Sequence, residues 1–340
     1  MNDILVSICC ITYNHEDYIA DAIEGFLMQK TDFKYEVLIH DDASTDRTAE
    51  IIRKYERKFP NLIKPIYQTT NQYSKGIKVG KFNRERALGK YIALCEGDDY
   101  WVDPCKLQEQ VSFMEKNPEC TLCCHGANML DARSKIIHET VRPRNGNGFL
   151  PIEQLIADGG CIPTASFVYP RRLVLNRPDY FNKVSVGDYP LQMYLGSLGK
   201  VYYIDKIMSV YRTNVKGSWT MRTYSGKSST GNAIKHNKSI IQFLEAFDTD
   251  TGYKFADSIK EAKMMRELSI LRTEGKLQEI KSGKHGAYYN ALGFKEKVKL
   301  HASCYFPRIY RQIARLKKKI GVISLRFKTQ FRKLFRLGEI

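Results

Sequence analysis

Short apolar runs alternate with amphipathic segments through the first 95 residues of the chain. The runs at 4–11, 35–40, 62–67 and 91–95 have the length and composition of buried strands, and the segments between them carry apolar side chains at helical spacing. Strands that alternate with helices usually form one parallel sheet with helices on its faces. We therefore predict an α/β fold with a doubly wound, mostly parallel sheet.

Polar side chains follow three of these strands, at the point where each strand ends. The carboxyl ends of parallel strands meet at one edge of a sheet, and open α/β sheets bind their ligands at that edge. Three polar clusters on one edge therefore predict a binding site. Its members are Thr12, Tyr13 and Asn14 after the first strand, Asp41 and Asp42 after the second, and Glu96, Asp98 and Asp99 after the fourth.

The third of these clusters holds three carboxylates in four positions. Carboxylates this close repel one another unless a positive group lies among them. A divalent cation with oxygen ligands meets that need, and such cations often bind substrate phosphates as well. For Asp98 and Asp99 the alternative is a solvated turn, and for Asp41 and Asp42 it is turn and capping chemistry. Gly97, between the acids, favours the binding site because it leaves the backbone open to a ligand.

The last third of the chain has a different character. A helical pattern covers residues 233–280, and the chain then becomes strongly basic. The formal net charge is +17, and residues 301–340 hold eleven Lys or Arg against one acid, Glu339. Apolar residues interleave with these cations as in a helix that lies on an anionic membrane surface. The alternative is a solvated tail, and no nucleic-acid partner is expected because the context of the known binding modules is missing.

These patterns divide the chain into two predicted parts. Residues 1–230 form the catalytic domain, and residues 231–340 form a helical extension that ends in the basic, membrane-associating tail. No leader is expected at the N-terminus, and no apolar stretch has the roughly 18 residues that a membrane-spanning helix needs.

The nine cysteines are an odd number and lie mostly within predicted strands or helices. This usage is typical of a reducing compartment, so we expect a cytoplasmic protein. Cys120, Cys123, Cys124 and His125 superficially resemble a zinc site, but a second ligand pair is missing. We predict that they are buried core residues.

Several short motifs occur in this chain in a recognisable order and spacing. They are 6–14, with Thr12-Tyr13-Asn14 at its end, 41–48, 87–92 and 96–101, with Gly187-Asp188 and 209–212 further on. In their order and spacing these motifs resemble glycosyltransferase family 2, whose members have the GT-A fold. The resemblance covers roughly residues 4–220.

The resemblance implies a role for each cluster. Tyr13 would stack near the base of the nucleotide, and Asp42 would hydrogen-bond that base. Two positions depart from the family pattern, namely Glu96, where the first acid is usually Asp, and Asn214, where many relatives have His. The implied assignments are nucleotide-sugar binding by Thr12, Tyr13, Asn14, Asp41, Asp42, Glu96 and Asp98; Mg²⁺ or Mn²⁺ binding by Asp98 and Asp99; and general-base catalysis by Asp188.

For Asp188 a bland alternative exists, because the sequence also predicts a helix start there and a carboxylate is favoured in the first turn of a helix.

Taken together, the residues and the resemblance predict a metal-dependent, inverting glycosyltransferase that uses a UDP- or dTDP-linked hexose. The expected acceptor is a glycan or a lipid-linked saccharide on the cytoplasmic leaflet, in cell-surface polysaccharide synthesis. One alternative is a nucleotidyltransferase, although the Gly-rich, basic loop typical of that class is missing after the first strand. The other alternative is an inactive family member that serves as an interaction module, which the intact acids disfavour.

Overall fold

The computed structural model describes residues 4–224 and 228–306 of the 340-residue chain. Ten strands fall within these residues. They are β1 (Ile4–Thr12), β2 (Lys34–Asp41), β3 (Ile63–Tyr67), β4 (Tyr91–Leu94), β5 (Tyr100–Trp101), β6 (Cys120–Asp131), β7 (Ile136–Val141), β8 (Gly148–Leu150), β9 (Val168–Pro170) and β10 (Lys200–Thr213).

Twelve α-helices lie in the same described part of the chain. They are α1 (Ile19–Leu27), α2 (Thr48–Lys58), α3 (Gly80–Arg86), α4 (Lys106–Lys116), α5 (Ile152–Ala157), α6 (Asp188–Leu198), α7 (Trp219–Tyr224), α8 (Ser229–Asp250), α9 (Ala256–Glu274), α10 (Leu277–Lys281), α11 (Gly286–Ala291) and α12 (Phe294–Tyr305).

The strands form one sheet in the order β3-β2-β1-β4-β9-β6-β10-β5, with β7 beside β6 and β8 beside β10. Strand β1 runs parallel to β2 and β4, β2 runs parallel to β3, and β6 runs parallel to β10. Strand β9 is antiparallel to both β4 and β6, and it joins the two parallel groups. The mostly parallel α/β sheet predicted from the sequence is confirmed.

Two apolar cores lie against the sheet, one on each face. Ile8 and Val37 belong to the core that includes residues of α1, α2 and α4. Their neighbours Cys9 and Leu38 belong to the core that includes residues of α5 and α6. Because successive strand residues face opposite sides, a sheet covered on both faces requires the continuous apolar runs seen in the sequence. Each fully buried large aliphatic side chain contributes about 1.5–3 kcal/mol relative to an exposed one.

Trp101 fixes the chain directly after the acidic cluster. Its ring lies edge-on to Phe26, with 5.0 Å between the ring centroids, and its indole N–H donates to the carbonyl oxygen of Ala165 at 2.8 Å. Tyr100 and Trp101 also pair with β10 as the short antiparallel strand β5. The loop that carries the acids is therefore held between β4 and a buried aromatic anchor.

The structure differs from the sequence prediction in two connecting regions. The polar composition of residues 131–150 predicts a loop or a loose hairpin. In the structure this segment contains β7, which pairs with β6, and β8, which pairs with β10. The apolar runs 201–204 and 207–211 predict two short strands. In the structure they form one strand, β10, whose register shifts between Ile204 and Ile207. The irregular pairing interrupts the alternation of side chains, which made one strand read as two.

The chain divides into two compact units. One unit consists of the described residues within 1–222 and 242–262, and it contains the whole sheet. The other consists of the described residues within 223–241 and 263–306 and is helical, with an apolar core that includes Leu268, Leu277, Ile280 and Cys304. The domain boundary at residue 230 stays a prediction.

Of the predicted basic tail at 301–340, only the first six residues are among those that the structure describes, and the rest of that prediction lies outside them. None of the described helices combines the length and the apolar character that would let it cross a membrane. Cys120, Cys123, Cys124 and His125 are buried in β6, as predicted.

Candidate active site

The three polar clusters meet at one edge of the sheet. Thr12 pairs with Asp41 in the register of β1 and β2, and the backbone N–H of Asp42 donates to the carbonyl oxygen of Thr12 at 3.0 Å. The backbone N–H of Gly97 donates to the carbonyl oxygen of Ile11 at 2.9 Å. These backbone bonds bring the loops after β1, β2 and β4 together, as the parallel pattern predicts.

The acids after β4 form a compact cluster. One carboxylate oxygen from each of Glu96, Asp98 and Asp99 lies within 4.8 Å of the other two. Asp99 is 1% exposed, and its Oδ2 has no hydrogen-bond partner within the described residues. An unpartnered buried oxygen among acids that repel one another fits a divalent cation, which takes oxygen ligands.

Burial and mutual repulsion also raise the pKa values of these acids. Burial, followed by the neighbouring charges of Asp98 and Asp188, raises the pKa of Glu96 to about 8. Burial, followed by the charges of Asp98 and Glu96, raises the pKa of Asp99 well above its usual range. Without a positive partner, the cluster therefore favours uptake of protons over full ionisation.

Arg212 makes hydrogen bonds that fix the position of the acid cluster. Its backbone N–H donates to Oδ1 of Asp99, and its guanidinium donates to the carbonyl oxygen of Asp98, both at 2.8 Å. The guanidinium carbon lies 4.3 Å from the ring centroid of Tyr100 and 5.1 Å from that of Tyr18, and the guanidinium also pairs with Asp21. These contacts fix Asp99 with one oxygen bound and the other oxygen available.

Gly97 is required by protein packing. A Cβ at this position would lie 2.7 Å from Oγ1 of Thr12 and 3.1 Å from Nδ1 of His15. The expectation that Gly97 opens the backbone to a ligand is thus wrong for this side of the residue, which protein side chains already occupy. His15 in turn brings its Nε2 to 3.9 Å from Oδ2 of Asp98. His15 is therefore a neighbour of the acid cluster that the sequence did not single out.

Asp42 organises the loop after β3. Its Oδ1 accepts a hydrogen bond from the backbone N–H of Gln72 at 2.8 Å, and its Oδ2 accepts one from that of Tyr73 at 3.0 Å. The side-chain amide of Asn71 donates to the carbonyl oxygen of Asp42 at 3.1 Å. Both oxygens of the carboxylate are therefore used to anchor the loop that follows β3.

Asp41 and Asn14 stabilise the turn between β2 and α2. Asp41 accepts hydrogen bonds from the hydroxyl and the backbone N–H of Ser44. Asn14 has a φ of 56°, a left-handed conformation that Asn tolerates better than most residues, and its Oδ1 accepts from the backbone N–H of Thr45 at 2.8 Å. The turn chemistry considered for Asp41 is therefore present.

A cavity of about 370 Å³ lies in the unit that contains the sheet. Glu96, Asp98 and Asp188 line it, so the structure brings three of the predicted residues together around one space. Tyr13 is 38% exposed. The predicted residues outside the lining of this cavity are Thr12, Tyr13, Asn14, Asp41, Asp42 and Asp99.

Asp188 lies at the start of a helix and also lines the cavity. It is the first residue of α6, and its Oδ1 accepts a hydrogen bond from the backbone N–H of Tyr189 at 2.8 Å. It also lines the cavity, and burial raises the pKa of its carboxyl group. A carboxylate that is oriented by its own helix and faces a cavity is suited to accept a proton.

Several residues of the cavity were missed by the sequence interpretation. Tyr211 and Trp219 come from β10 and α7, and four basic side chains come from two other segments. A motif signal existed only for Tyr211, which lies in the run 209–212. The remaining residues are Lys78, Lys81, Arg84 and Arg177.

The fold and the site together define a class of protein. A mostly parallel sheet with an acid cluster at its carboxyl edge, and a further carboxylate on the same cavity, is the arrangement of a GT-A glycosyltransferase. Residues 7–172 match the sequence model of the family described as glycosyl transferase family 2. This part of the chain belongs to that family.

Sequence relatives extend the likeness beyond the matched segment. An uncharacterised protein of Mycobacterium tuberculosis is 35% identical over 219 residues, which are 63% of this chain and 60% of that protein. The UDP-Glc:α-D-GlcNAc-diphosphoundecaprenol β-1,3-glucosyltransferase WfaP of Escherichia coli is 41% identical over 113 residues, which are 33% of this chain and 41% of that protein. The chain thus spans less than two thirds of the length of either relative.

Solved structures share the fold. TarS of S. aureus in complex with UDP-GlcNAc has a TM-score of 0.57 at 17% identity, covering 88% of this chain and 79% of that chain. The mannosyltransferase PcManGT of Pyrobaculum calidifontis, in complex with GDP-Man and Mn²⁺, has a TM-score of 0.54 at 15% identity, covering 98% and 89%. At these identities the likeness shows the GT-A fold alone.

Proposed function

We propose that the protein is a metal-dependent, inverting glycosyltransferase that moves a hexosyl unit from a UDP- or dTDP-linked sugar to a saccharide hydroxyl. One observation carries this proposal, namely that Glu96 and Asp98 line the same cavity as Asp188. Glycosyl transfer needs charge stabilisation where the diphosphate leaves and a base where the hydroxyl arrives. The cavity has residues suited to both tasks.

Asp98 and Asp99 would hold Mg²⁺ or Mn²⁺, with Glu96 beside them. When bound, the cation stabilises the negative charge that develops on the departing diphosphate. The unpartnered Oδ2 of Asp99 supports this assignment, as does the Mn²⁺ named with PcManGT. Arg212 keeps Asp99 oriented, so little rearrangement of that side chain would be needed on binding.

Asp188 would take the proton of the incoming hydroxyl. Its carboxyl group is buried enough for its pKa to be raised, which makes the ionised form a stronger base than an exposed aspartate. The deprotonated hydroxyl would attack the anomeric carbon on the face opposite to the leaving diphosphate. A single displacement of this kind inverts the configuration at that carbon.

The nucleotide would lie against the loops after β1 and β2. Tyr13 has the exposure that stacking on a base requires. Each carboxylate oxygen of Asp42 makes one hydrogen bond to the backbone and keeps a second lone pair, so the group can also accept from a base. Thr12, Asn14 and Asp41 would shape the nucleotide-binding surface that these loops form.

The proposed acceptor is a glycan or a lipid-linked saccharide in cell-surface polysaccharide synthesis. The name of WfaP, which acts on a diphosphoundecaprenol-linked sugar, supports a lipid-linked acceptor. The basic composition of residues 301–340 supports attachment of the enzyme to the cytoplasmic face of the membrane.

A donor panel tests the proposal. Release of UDP, dTDP or GDP is measured from a set of nucleotide sugars, with Mn²⁺, with Mg²⁺ and with EDTA. We expect one nucleoside diphosphate to be released, and only when metal is present. Formation of a nucleotide sugar and pyrophosphate from a sugar phosphate and a nucleoside triphosphate would instead identify a nucleotidyltransferase. Binding without turnover of any donor would support the inactive module.

A further inference from the structure

Four basic side chains line the cavity that also contains the acids. Lys78 lies just before α3, Lys81 lies in its first turn and Arg84 lies further along it. Arg177 comes from the segment before α6. We refer to these four residues as the cationic wall. The proposed transfer mechanism assigns no role to any of them.

The cationic wall has no acidic partner within the described residues. None of its four side chains forms an ion pair there, and the guanidinium groups of Arg84 and Arg177 make no hydrogen bond in that part of the chain. By contrast, another arginine of the same unit, Arg212, pairs with Asp21 and binds the carbonyl oxygen of Asp98. Partly buried cations without an anionic partner carry an electrostatic cost that an anionic ligand would relieve.

The wall is nevertheless held in place. The guanidinium carbon of Arg177 lies 5.0 Å from the ring centroid of Phe181, and the ammonium of Lys78 donates to the carbonyl oxygen of Val184. Arg84 follows the buried Asn83, whose side-chain amide donates to the carbonyl oxygens of Cys10 at 2.8 Å and Leu38 at 2.9 Å. Preorganised cations of this kind are typical of sites that recognise carboxylates or phosphates.

The cations repel one another. Burial, followed by the charge of Arg84, lowers the pKa of Arg177 to about 10. Burial, followed by the charge of Arg177, lowers the pKa of Lys78. The groups that raise the pKa of Glu96 are, after burial, the acids Asp98 and Asp188. The cavity therefore contains two sets of like charges, one acidic and one basic.

Both arginines of the cationic wall interact electrostatically with Tyr169, which pairs with Ile92 of β4, four residues before Glu96. Arg84 also interacts electrostatically with Cys9. Cys9 pairs with Leu94 in the register of β1 and β4, two residues before Glu96. Two strand residues span about 7 Å, which is comparable with the width of a sugar ring. A sugar held by its diphosphate beside the acids would thus bring its far substituents toward Arg84.

We propose that the cationic wall binds the carboxylate or phosphate of an acidic saccharide substrate, so that the sugar transferred or the sugar that receives it is charged. This inference rests on the proposed glycosyltransferase function and specifies its substrate class. The donor diphosphate is a less suitable occupant, because the acid cluster and its cation would already hold it beside Glu96. The wall would then select a hexuronic acid or a sugar phosphate over a neutral hexose.

Two matched pairs of probes test the inference by calorimetric titration. UDP-glucose and UDP-glucuronic acid, with Mn²⁺, differ only in the group at C6 and test the donor. Methyl glucoside and methyl glucuronide, with glucose 6-phosphate as a phosphate probe, test the acceptor and are titrated with and without UDP. We expect the charged member of one pair to bind at least about tenfold more tightly, as charge-assisted hydrogen bonds do.

The variants Arg84→Gln and Arg177→Gln should reduce that preference to about twofold or less, and Arg177→Lys should retain part of it. Arg172→Gln is the matched control, since Arg172 is exposed and lies outside the cavity lining. The affinity for UDP alone should stay the same in all four variants.

The results separate the possible sources of the anion. A preference in the UDP-sugar pair assigns the anionic group to the donor, and a preference in the other probes assigns it to the acceptor. Equal binding within both sets of probes would overturn the inference. So would an equal loss of affinity for UDP itself in the Gln variants, because the wall would then serve the diphosphate. If no nucleotide binds, the proposed function fails, while the titrations without UDP still test the wall.

Discussion

The backbone N–H of Arg212 donates to Oδ1 of Asp99 at 2.8 Å, although the two residues are 113 positions apart in the chain. The guanidinium of the same arginine is enclosed by two tyrosine rings and binds the carbonyl oxygen beside Asp99. Strand β10, the last in the chain, thus fixes the geometry of the acids that follow β4.

Arg212→Gln should weaken the proposed cation site without removing a ligand. The positive charge of Arg212 and its backbone hydrogen bond both lower the pKa of Asp99, against the larger effect of burial. Losing that charge favours the protonated acid, so we expect the Mn²⁺ dissociation constant to rise about tenfold in a titration followed by calorimetry. Arg53→Gln is the control, because Arg53 also stacks on a tyrosine, Tyr67 at 4.4 Å, but is exposed. An equal effect of both variants would contradict the assignment.

Asp98→Ala should abolish the stabilisation of the protein by metal. A ligand that binds only the folded state raises the free energy of unfolding by RT ln(1 + [L]/Kd), about 2.7 kcal/mol at a hundredfold excess over Kd. We therefore expect Mn²⁺ to raise the Tm of the wild type and to leave that of Asp98→Ala nearly unchanged. Glu16→Ala, which removes an acid paired with Arg47 instead, should keep the full shift. An undiminished shift in Asp98→Ala would exclude it as a ligand.

Asp42 should act on nucleotide affinity partly through the loop that it holds. Asp42→Ala leaves the backbone N–H groups of Gln72 and Tyr73 without their acceptor, so both amides should exchange hydrogen faster and the affinity for UDP should fall. Asp42→Asn keeps one acceptor oxygen and should protect one of the two amides. Unchanged exchange at both positions in Asp42→Ala would mean that the loop does not depend on this carboxylate.

Lys106 should make the stability depend on pH in the alkaline range. It is fully buried, donates to Oε1 of Gln110 at 2.8 Å, and lies 4.0 Å from the centroid of the Trp101 ring. Burial lowers its pKa from 10.5 in the unfolded chain to about 7. Between these values the unfolded chain binds more protons, so the free energy of unfolding should increase as the pH rises.

Urea unfolding at about pH 7 and about pH 9 measures this effect. Lys106→Met removes the titrating group and should flatten the pH dependence, whereas Lys116→Met, at an exposed position of the same helix, should leave it unchanged. If Lys106→Met keeps the wild-type slope, the folded protein accommodates a charged Lys106 without cost.

The sheet could be predicted because each strand carries its own signal in a short stretch of sequence. Continuous apolar runs such as 4–11 and 35–40 state that both faces of a strand are covered, and the polar residues that follow them mark the edge where ligands bind. The sequence also predicts a strand at 164–169, close to β9. Its antiparallel pairing with β4 and β6 could not be derived, because three residues contain no information about direction.

The site could be predicted only in part, for a physical reason. Glu96, Asp98 and Asp188 are acids at element ends, and such residues carry a signal in the sequence itself. Arg177 carries none, since one arginine in a polar segment is unremarkable until the fold shows the missing partner. The contact of Asp42 with the loop was likewise invisible, because a hydrogen bond between positions 42 and 72 depends on how the loop returns to the sheet.

The central claim is that Asp188 is the base that activates the acceptor hydroxyl, and the measurement that tests it most directly is the turnover of Asp188→Asn beside its donor affinity. The amide keeps the size of the side chain but cannot take the proton, so we predict that kcat falls about 10²–10⁴-fold. The dissociation constant of the donor should change by less than about twofold, because in the proposed site the acid cluster, and not Asp188, holds the donor diphosphate. In the wild type, turnover should fall as the pH decreases through the raised pKa of Asp188. A variant with near-normal turnover and normal donor binding would contradict the account.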